Sequence, residues 1–282
     1  MTLDRAYRPT KSTPVPLRSL MHAFRSQFTN WLTLSALSGV VLPSRCPPRG
    51  GLRGLSRMPV QVRLRNGLHA RCRLEQFIGF IDVWVYGECE VPGLRWDELR
   101  TVVDVGANVG AATLWFASQA PHARITAVEP APMVVPSLVR NVEVNGLADR
   151  VDVVPVALGA KSGVGYLNPS PFSITATVGA DPTVGGLPIP IVSLRQLLDE
   201  AGIRTLDMLK LDCEGAEFEI LRSCEASVLR SIRAIVGEFH TSHGDPRDLE
   251  DVLMGSGFDC RFQEPDGSGL FSAVRRENSG GR

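Results

Sequence analysis

Two spacings of apolar side chains run along this chain and divide it. Between residues 17 and 32 they recur every three or four positions, at Leu17, Leu20, Met21, Phe24, Phe28, Trp31 and Leu32. Arg18, His22 and Arg25 lie off that stripe, so the segment predicts an amphipathic helix. From Val60 the period shortens to two: Val60-Gln-Val-Arg-Leu-Arg, then Asn66-Gly67, then Ala70-Arg-Cys-Arg-Leu. That is strand, hairpin turn and strand. Residues 77–86 form an apolar run that suits either helix or strand. From Thr101 onward β-branched runs alternate with helical stretches. Strands are predicted at 101–105, 124–128, 151–155, 207–211, 234–238, 259–263 and 270–275. Helices are predicted near 111–118, 134–145, 194–201, 218–223 and 247–254. Such alternation predicts an α/β fold, a parallel sheet with helices on both faces. The turn Pro265-Asp-Gly-Ser-Gly sets the last two strands as an antiparallel hairpin at the sheet edge, and ligands of such sheets bind at the carboxyl ends of the strands.

Composition changes this picture mainly at the N-terminus. With 282 residues, 44% of them hydrophobic and 21% charged, the chain suits one large domain with an appendage. Its formal net charge is zero, yet from Arg5 to Leu74 there is no Asp or Glu and about a dozen Arg. Residues 1–59 therefore read as a basic extension: a disordered start, the amphipathic helix, and a Gly/Pro/Arg linker over 43–59. Residues 60–100 form a β preface, 101–276 the main domain and 277–282 a flexible tail. The helix is expected to pack on the main domain; a peripheral membrane contact is the second reading, because the polar face is basic and the stripe holds Trp and Phe. Six scattered cysteines without metal-like spacing point to reduced thiols and a cytoplasmic protein. No run is long enough to span a bilayer, none is placed like a secretory leader, and no nucleic-acid partner is expected. Oligomeric state is left open.

Candidate chemistry gathers at three strand ends. The first is Asp104, Gly106, Ala107, Asn108 and Gly110, where a strand breaks through a small-residue turn into a helix. Such a corner cradles a nucleotide. Its spacing is G-x-N-x-G rather than G-x-G-x-x-G, and the acid inside the strand end disfavours a pyrophosphate and favours a cationic or zwitterionic nucleoside. Glu129 ends the next strand, where a carboxylate would accept both ribose hydroxyls. The second is Lys210, Asp212 and Glu214 with Gly215 and Glu217, suited to positioning a hydroxyl, taking its proton or holding a metal. Ion pairing and helix capping are the competing account of these charges. The third is Glu238 and His240, which adjacent parallel strands bring beside Asp212.

These motifs, in order, resemble a known family. Asp-Val-Gly-Ala-Asn-Val-Gly at 104–110, Ala-Val-Glu-Pro at 127–130 and Arg140-Asn141-x-x-x-Asn145-Gly146 come first. Val156-Ala157-Leu158-Gly159, Leu209-Lys-Leu-Asp-Cys-Glu-Gly-Ala-Glu217 and Gly237-Glu-Phe-His240 follow. Together they resemble the FkbM family of S-adenosylmethionine-dependent methyltransferases, over residues 60 to 275. The resemblance implies the seven-stranded class I methyltransferase fold and O-methylation of a hydroxyl on a sugar, glycolipid or secondary metabolite. It also implies that the 104–110 turn faces the methionine part of the cofactor, Glu129 the ribose, and Ala157 and Leu158 the adenine. Asp212, Glu238 or His240 would take the hydroxyl proton. A divalent metal on Asp212, Glu238 and His240 is compatible with the pattern but not required by it. A cofactor-binding scaffold of the same fold without efficient turnover is the alternative.

Overall fold

A computed structural model describes residues 17–30, 56–167, 178–179, 186–263 and 267–276. The expected disorder of residues 1–16, the end of the apolar stripe at Trp31 and Leu32, most of the linker, most of the Gly/Pro-rich stretch between the third and fourth predicted strands, the start of the 265–269 turn and the C-terminal tail lie outside the described residues.

Helix α1 covers Leu17–Gln27, and strands β1 (Pro59–Arg63) and β2 (His69–Arg73) pair antiparallel around Gly67, which adopts φ +92°. The ambiguous apolar run is helical: α2 (Phe77–Ile81) passes into a π-turn, Asp82–Tyr86. Then come β3 (Thr101–Val105), α3 (Ala111–Gln119), β4 (Arg124–Val128), α4 (Val135–Glu143) and β5 (Val151–Val154). Short strands β6 (Ala157–Leu158), β7 (Gly163–Leu167), β8 (Val178–Gly179) and β9 (Leu187–Val192) form a separate four-stranded sheet. After it run α5 (Leu194–Glu200), β10 (Leu206–Leu211), α6 (Glu217–Ser223), α7 (Ala226–Arg230), β11 (Ile232–His240), α8 (Pro246–Gly255), β12 (Phe258–Gln263) and β13 (Ser268–Arg275).

The main sheet has the order β12-β13-β11-β10-β3-β4-β5, with β13 antiparallel to both its neighbours and the rest parallel. All seven strands form where the alternating pattern predicts them. β13 is the inner member of the terminal hairpin and leaves β12 at the edge. The order reverses between β3 and β10, and that switch point opens a crevice at the carboxyl ends of the two strands.

Side chains alternate across the sheet as the two-residue period requires. Val102, Ile125, Met208 and Ala234 join one core with the preface, α3 and α4. Val103, Val128, Leu209 and Ile235 join the other with α5, α6 and α8. Helix α3 is buried from Ala111 through Ala117 because the sheet covers one side and the preface the other. An apolar helix without a polar face demands such a second layer. Phe24 and Phe28 of the α1 region, both fully buried, pack against Phe77 with ring centroids 6.4 and 6.3 Å away. Each buried ring contributes about 2 kcal/mol, so this part of the apolar stripe is spent on the domain. No helix among the described residues is long and apolar enough to cross a membrane.

Candidate active site

A cleft of about 620 Å³ opens at the carboxyl ends of β3, β4, β10 and β11, within the size range of small-molecule sites. Of the sequence-predicted site residues, the fully buried Glu217 does not line it, and all the others except Asp104 and Gly110 do. Asp104 and Gly110 lie just behind its wall, on the strand and at the helix cap.

Parallel pairing explains the wall. Lys210 stands opposite Asp104 in the β10–β3 register, so both side chains leave the same face. The Lys210 ammonium lies 3.3 Å from Asp104 Oδ1 and 3.3 Å from Asp212 Oδ2, and it donates to the carbonyls of Val105 (3.3 Å) and Gly106 (3.5 Å). Burial opposes its charge, but Asp212 and Asp104 outweigh that and hold the ammonium protonated well above the ordinary lysine range. Lys210 is therefore a fixed cation that ties two acids to the turn, not a proton acceptor. Asp104, fully buried, also accepts a 2.6 Å hydrogen bond from the Thr113 hydroxyl on α3.

The turn after β3 is shaped by its neighbours. The N–H groups of Gly106 and Ala107 both donate to the Val128 carbonyl at 3.0 Å. Gly106 has φ +74°, and a Cβ there would lie 1.8 Å from the Asp212 carbonyl oxygen, so only glycine fits. Asn108 sits in the left-handed region (φ 47°) and donates its N–H to Glu129 Oε2 at 2.8 Å. Glu129 also accepts from the Ala131 N–H at 2.9 Å. Burial raises the Glu129 carboxyl, and those two backbone bonds pull against the rise. Each of its oxygens retains a lone pair for a further donor from the cleft. Ala157 and Leu158, both buried, line the cleft from β6 with Val156 beside them.

The turn after β10 carries the second half. Glu214 takes φ 57°, and Gly215 takes φ 107° with the His243 ring packed where its Cβ would be. Glu217, a helix-capping acid on the competing account, is fully buried and accepts from the N–H groups of Cys213 (2.6 Å) and Gly215 (2.9 Å). Burial raises its carboxyl as well. His240 is half-buried; its Nε2 stands 3.7 Å from Glu214 Oε2, an electrostatic contact longer than a hydrogen bond, and its buried Nδ1 has no hydrogen-bond partner among the described residues. Glu238 lines the cleft beside it. Gly237 permits this crowding, since a Cβ there would lie 2.4 Å from the Leu211 carbonyl oxygen. No group of three or more His, Cys, Asp or Glu among the described residues is arranged to hold a metal. The five described cysteines are free, and Cys46 lies outside the described residues.

Sequence reasoning missed the third wall. Gln76, Gly79, Asp82 and Glu88 reach the cleft from α2, the π-turn and the residues flanking them. The signal was available in α3: a helix of alanines and aromatics with no polar face needs a layer over it. Asn141 and Asn145, which match family positions, do not line the cleft; their amides bind the backbone of β2.

The methyltransferase FkbM domain model matches residues 104–263. The methyltransferase sdnD of Sordaria araneosa is 27% identical over 211 residues, 62% of this chain and 82% of its own. The hexuronic acid methyltransferase AglP of Haloferax volcanii is 26% identical, over 62% of this chain and 70% of its own length. The 31-O-demethyl-FK506 methyltransferase FkbM of Streptomyces tacrolimicus is 28% identical, over 57% and 74%. The matched region begins at Asp104 and takes in every strand-end residue just described, and the chain belongs to the FkbM methyltransferase domain family.

Proposed function

We propose that the protein is an S-adenosylmethionine-dependent O-methyltransferase whose acceptor is a hydroxyl of a sugar, glycolipid or secondary metabolite. The observation that carries the reading is one cleft with two unlike poles. Gly106, Ala107 and Asn108 of the turn after β3, Glu129 and the apolar pair Ala157–Leu158 line one pole, while Asp212, Glu214, Glu238 and His240 line the other. Two of the relatives are named for a hexuronic acid and for 31-O-demethyl-FK506, and the latter name supports oxygen as the acceptor atom.

The residues suit this cofactor. Its ribose hydroxyls can donate to the free lone pairs of Glu129, its adenine can lie on Ala157 and Leu158, and its cationic end meets a carboxylate-rich wall. When bound, it supplies an electrophilic methyl group. The chain's contribution is alignment and proton removal. His240 accepts the hydroxyl proton at Nε2, and Glu214, facing that nitrogen, stabilises the imidazolium. Lys210 stays charged and holds Asp212 in place, while Glu238 and Asp212 orient the acceptor hydroxyl.

The test uses S-adenosylmethionine with a deuterated methyl group, added with the protein to extracts of sugars, glycolipids and small metabolites. A labelled methyl ether detected by tandem mass spectrometry is expected, with His240→Gln reducing its formation about 100-fold. Label on nitrogen or carbon would overturn the O-methyl assignment. A thermal shift with NAD and none with S-adenosylhomocysteine would overturn the cofactor.

A further inference from the structure

Asn141 and Asn145 lie one helical turn apart around the end of α4, and His69 and Arg71 lie two residues apart on β2. Side chains at i and i+4 of a helix stand about 6 Å apart, close to the ~6.7 Å between alternate residues of a strand. The two amides can therefore imitate a neighbouring strand. Asn141 accepts from the Arg71 N–H (2.9 Å) and donates to the Arg71 carbonyl (3.0 Å). Asn145 accepts from the His69 N–H (2.9 Å) and donates to the His69 carbonyl (2.7 Å).

The pair differ in the use of one remaining N–H. That of Asn145 goes back to the Asn141 carbonyl, in the last turn of α4, at 2.6 Å. That of Asn141 goes to the Val109 carbonyl at 2.8 Å, inside the turn that follows β3. Asn141 is 1% exposed, so each of these bonds is made without competing water. Two further contacts hold the same turn from the preface. Gln76 Nε2 donates to Asn108 Oδ1 at 3.5 Å, and the Trp84 indole N–H donates to the Ala111 carbonyl at 3.1 Å. Asn108, Val109 and Ala111 are thus each tied to a group outside the turn.

We infer that Asn141 is a positioning residue for the methyl-donor pole: it registers the turn of residues 106–110 against the β1–β2 hairpin, with Trp84 and Gln76 as the supporting tethers. This rests on the donor assignment above. A consequence is that residues 104–263, the span matched by the family model, lack part of what shapes the donor site, because Gln76 and Trp84 precede it.

The test measures calorimetric affinity of the full chain for S-adenosylhomocysteine and for 5′-methylthioadenosine, which lacks the amino-acid arm that the turn faces. Asn141→Ala is expected to weaken S-adenosylhomocysteine about tenfold and methylthioadenosine less than about threefold, the loss of one well-placed buried bond near the ligand. Asn145→Ala, which releases the same strand but not the turn, leaves both affinities within about threefold. Trp84→Phe follows Asn141→Ala in direction and decides the matter if that variant does not fold. Equal weakening of both ligands by Asn141→Ala marks a merely structural role and overturns the inference, as does an unchanged affinity for S-adenosylhomocysteine. A wild-type chain that binds neither ligand fails the donor assignment itself, and this inference with it.

Discussion

The turns after β3 and β10 are built on one plan and finished differently. Each leads from a parallel strand into a helix, and each contains one non-glycine residue in the left-handed region, Asn108 in the first and Glu214 in the second. In each a buried glutamate accepts two backbone N–H groups: Glu129 from Asn108 and Ala131, Glu217 from Cys213 and Gly215. The first turn is then gripped from outside by β4, the Lys210 ammonium, Asn141, Gln76 and Trp84. The second is held chiefly by its own Glu217, with the His243 ring packed on Gly215 and Glu214 half-buried beside His240. On the proposed assignment, the turn with many outside ties faces the methyl donor, and the turn that supports itself faces the acceptor.

The largest break in this comparison should come from Gly106→Ala. The added Cβ would overlap the Asp212 carbonyl oxygen at a left-handed φ, forcing the two turns apart. A loss of about 4 kcal/mol or more is expected in denaturant unfolding, with S-adenosylhomocysteine binding abolished. Asp104→Asn comes next. It removes one of two acids facing a buried ammonium, at a cost of about 3 kcal/mol, and it weakens the donor. Unchanged calorimetric affinity in both Asp104→Ala and Glu129→Ala would show that the first turn is not the donor pole.

Glu217→Gln separates the turns further. A neutral amide accepts from one of the two N–H groups and turns a donor toward the other, costing about 1–3 kcal/mol at neutral pH. Its pH dependence has a definite sign. Burial raises the Glu217 carboxyl above 4.5 in the folded state, so the native protein binds the proton more tightly than the unfolded chain. That group's unfavourable contribution to stability is present above its folded pKa and is relieved as pH falls from there toward 4.5. Glu217→Gln should flatten this part of a Tm–pH profile, and Glu129→Gln should do the same, since burial raises Glu129 too. Profiles parallel to wild type would refute both assignments. The smallest effect is expected from Glu214→Gly. Relief of the left-handed backbone gains up to about 1 kcal/mol, donor affinity stays unchanged, and methyl transfer falls through loss of the carboxylate facing His240.

What the sequence made legible follows the range of the interactions involved. Each strand of the main sheet announces itself within four to nine residues, and the Asp104–Gly110 corner is one contiguous motif, so both were readable. The pairing of Lys210 with Asp104 was not. It depends on β10 lying beside β3 in a particular register, a fact of topology rather than spacing. The preface contribution was hidden for the same reason, as Asn141 reaches Arg71 across 70 residues of chain. Glu217 shows a subtler miss: helix capping was the competing account of its charge, and the side chain does bind backbone N–H groups, but those of Cys213 and Gly215 in the preceding turn.

The place of β3 in the sheet bears on how the chain is made. One neighbour, β4, follows within about 20 residues, whereas the other, β10, begins about a hundred residues later. At ribosomal speeds of roughly 5–20 residues per second, β3 waits on the order of 5–20 s with one edge unpaired. Throughout that interval Asp104 has Thr113 but no cation, and Gly106 has no carbonyl pressed against it. The turn after β3 thus leaves the ribosome about a hundred residues before the strand that completes it, and on the proposed assignment a nascent chain halted before Lys210 is expected to bind no donor.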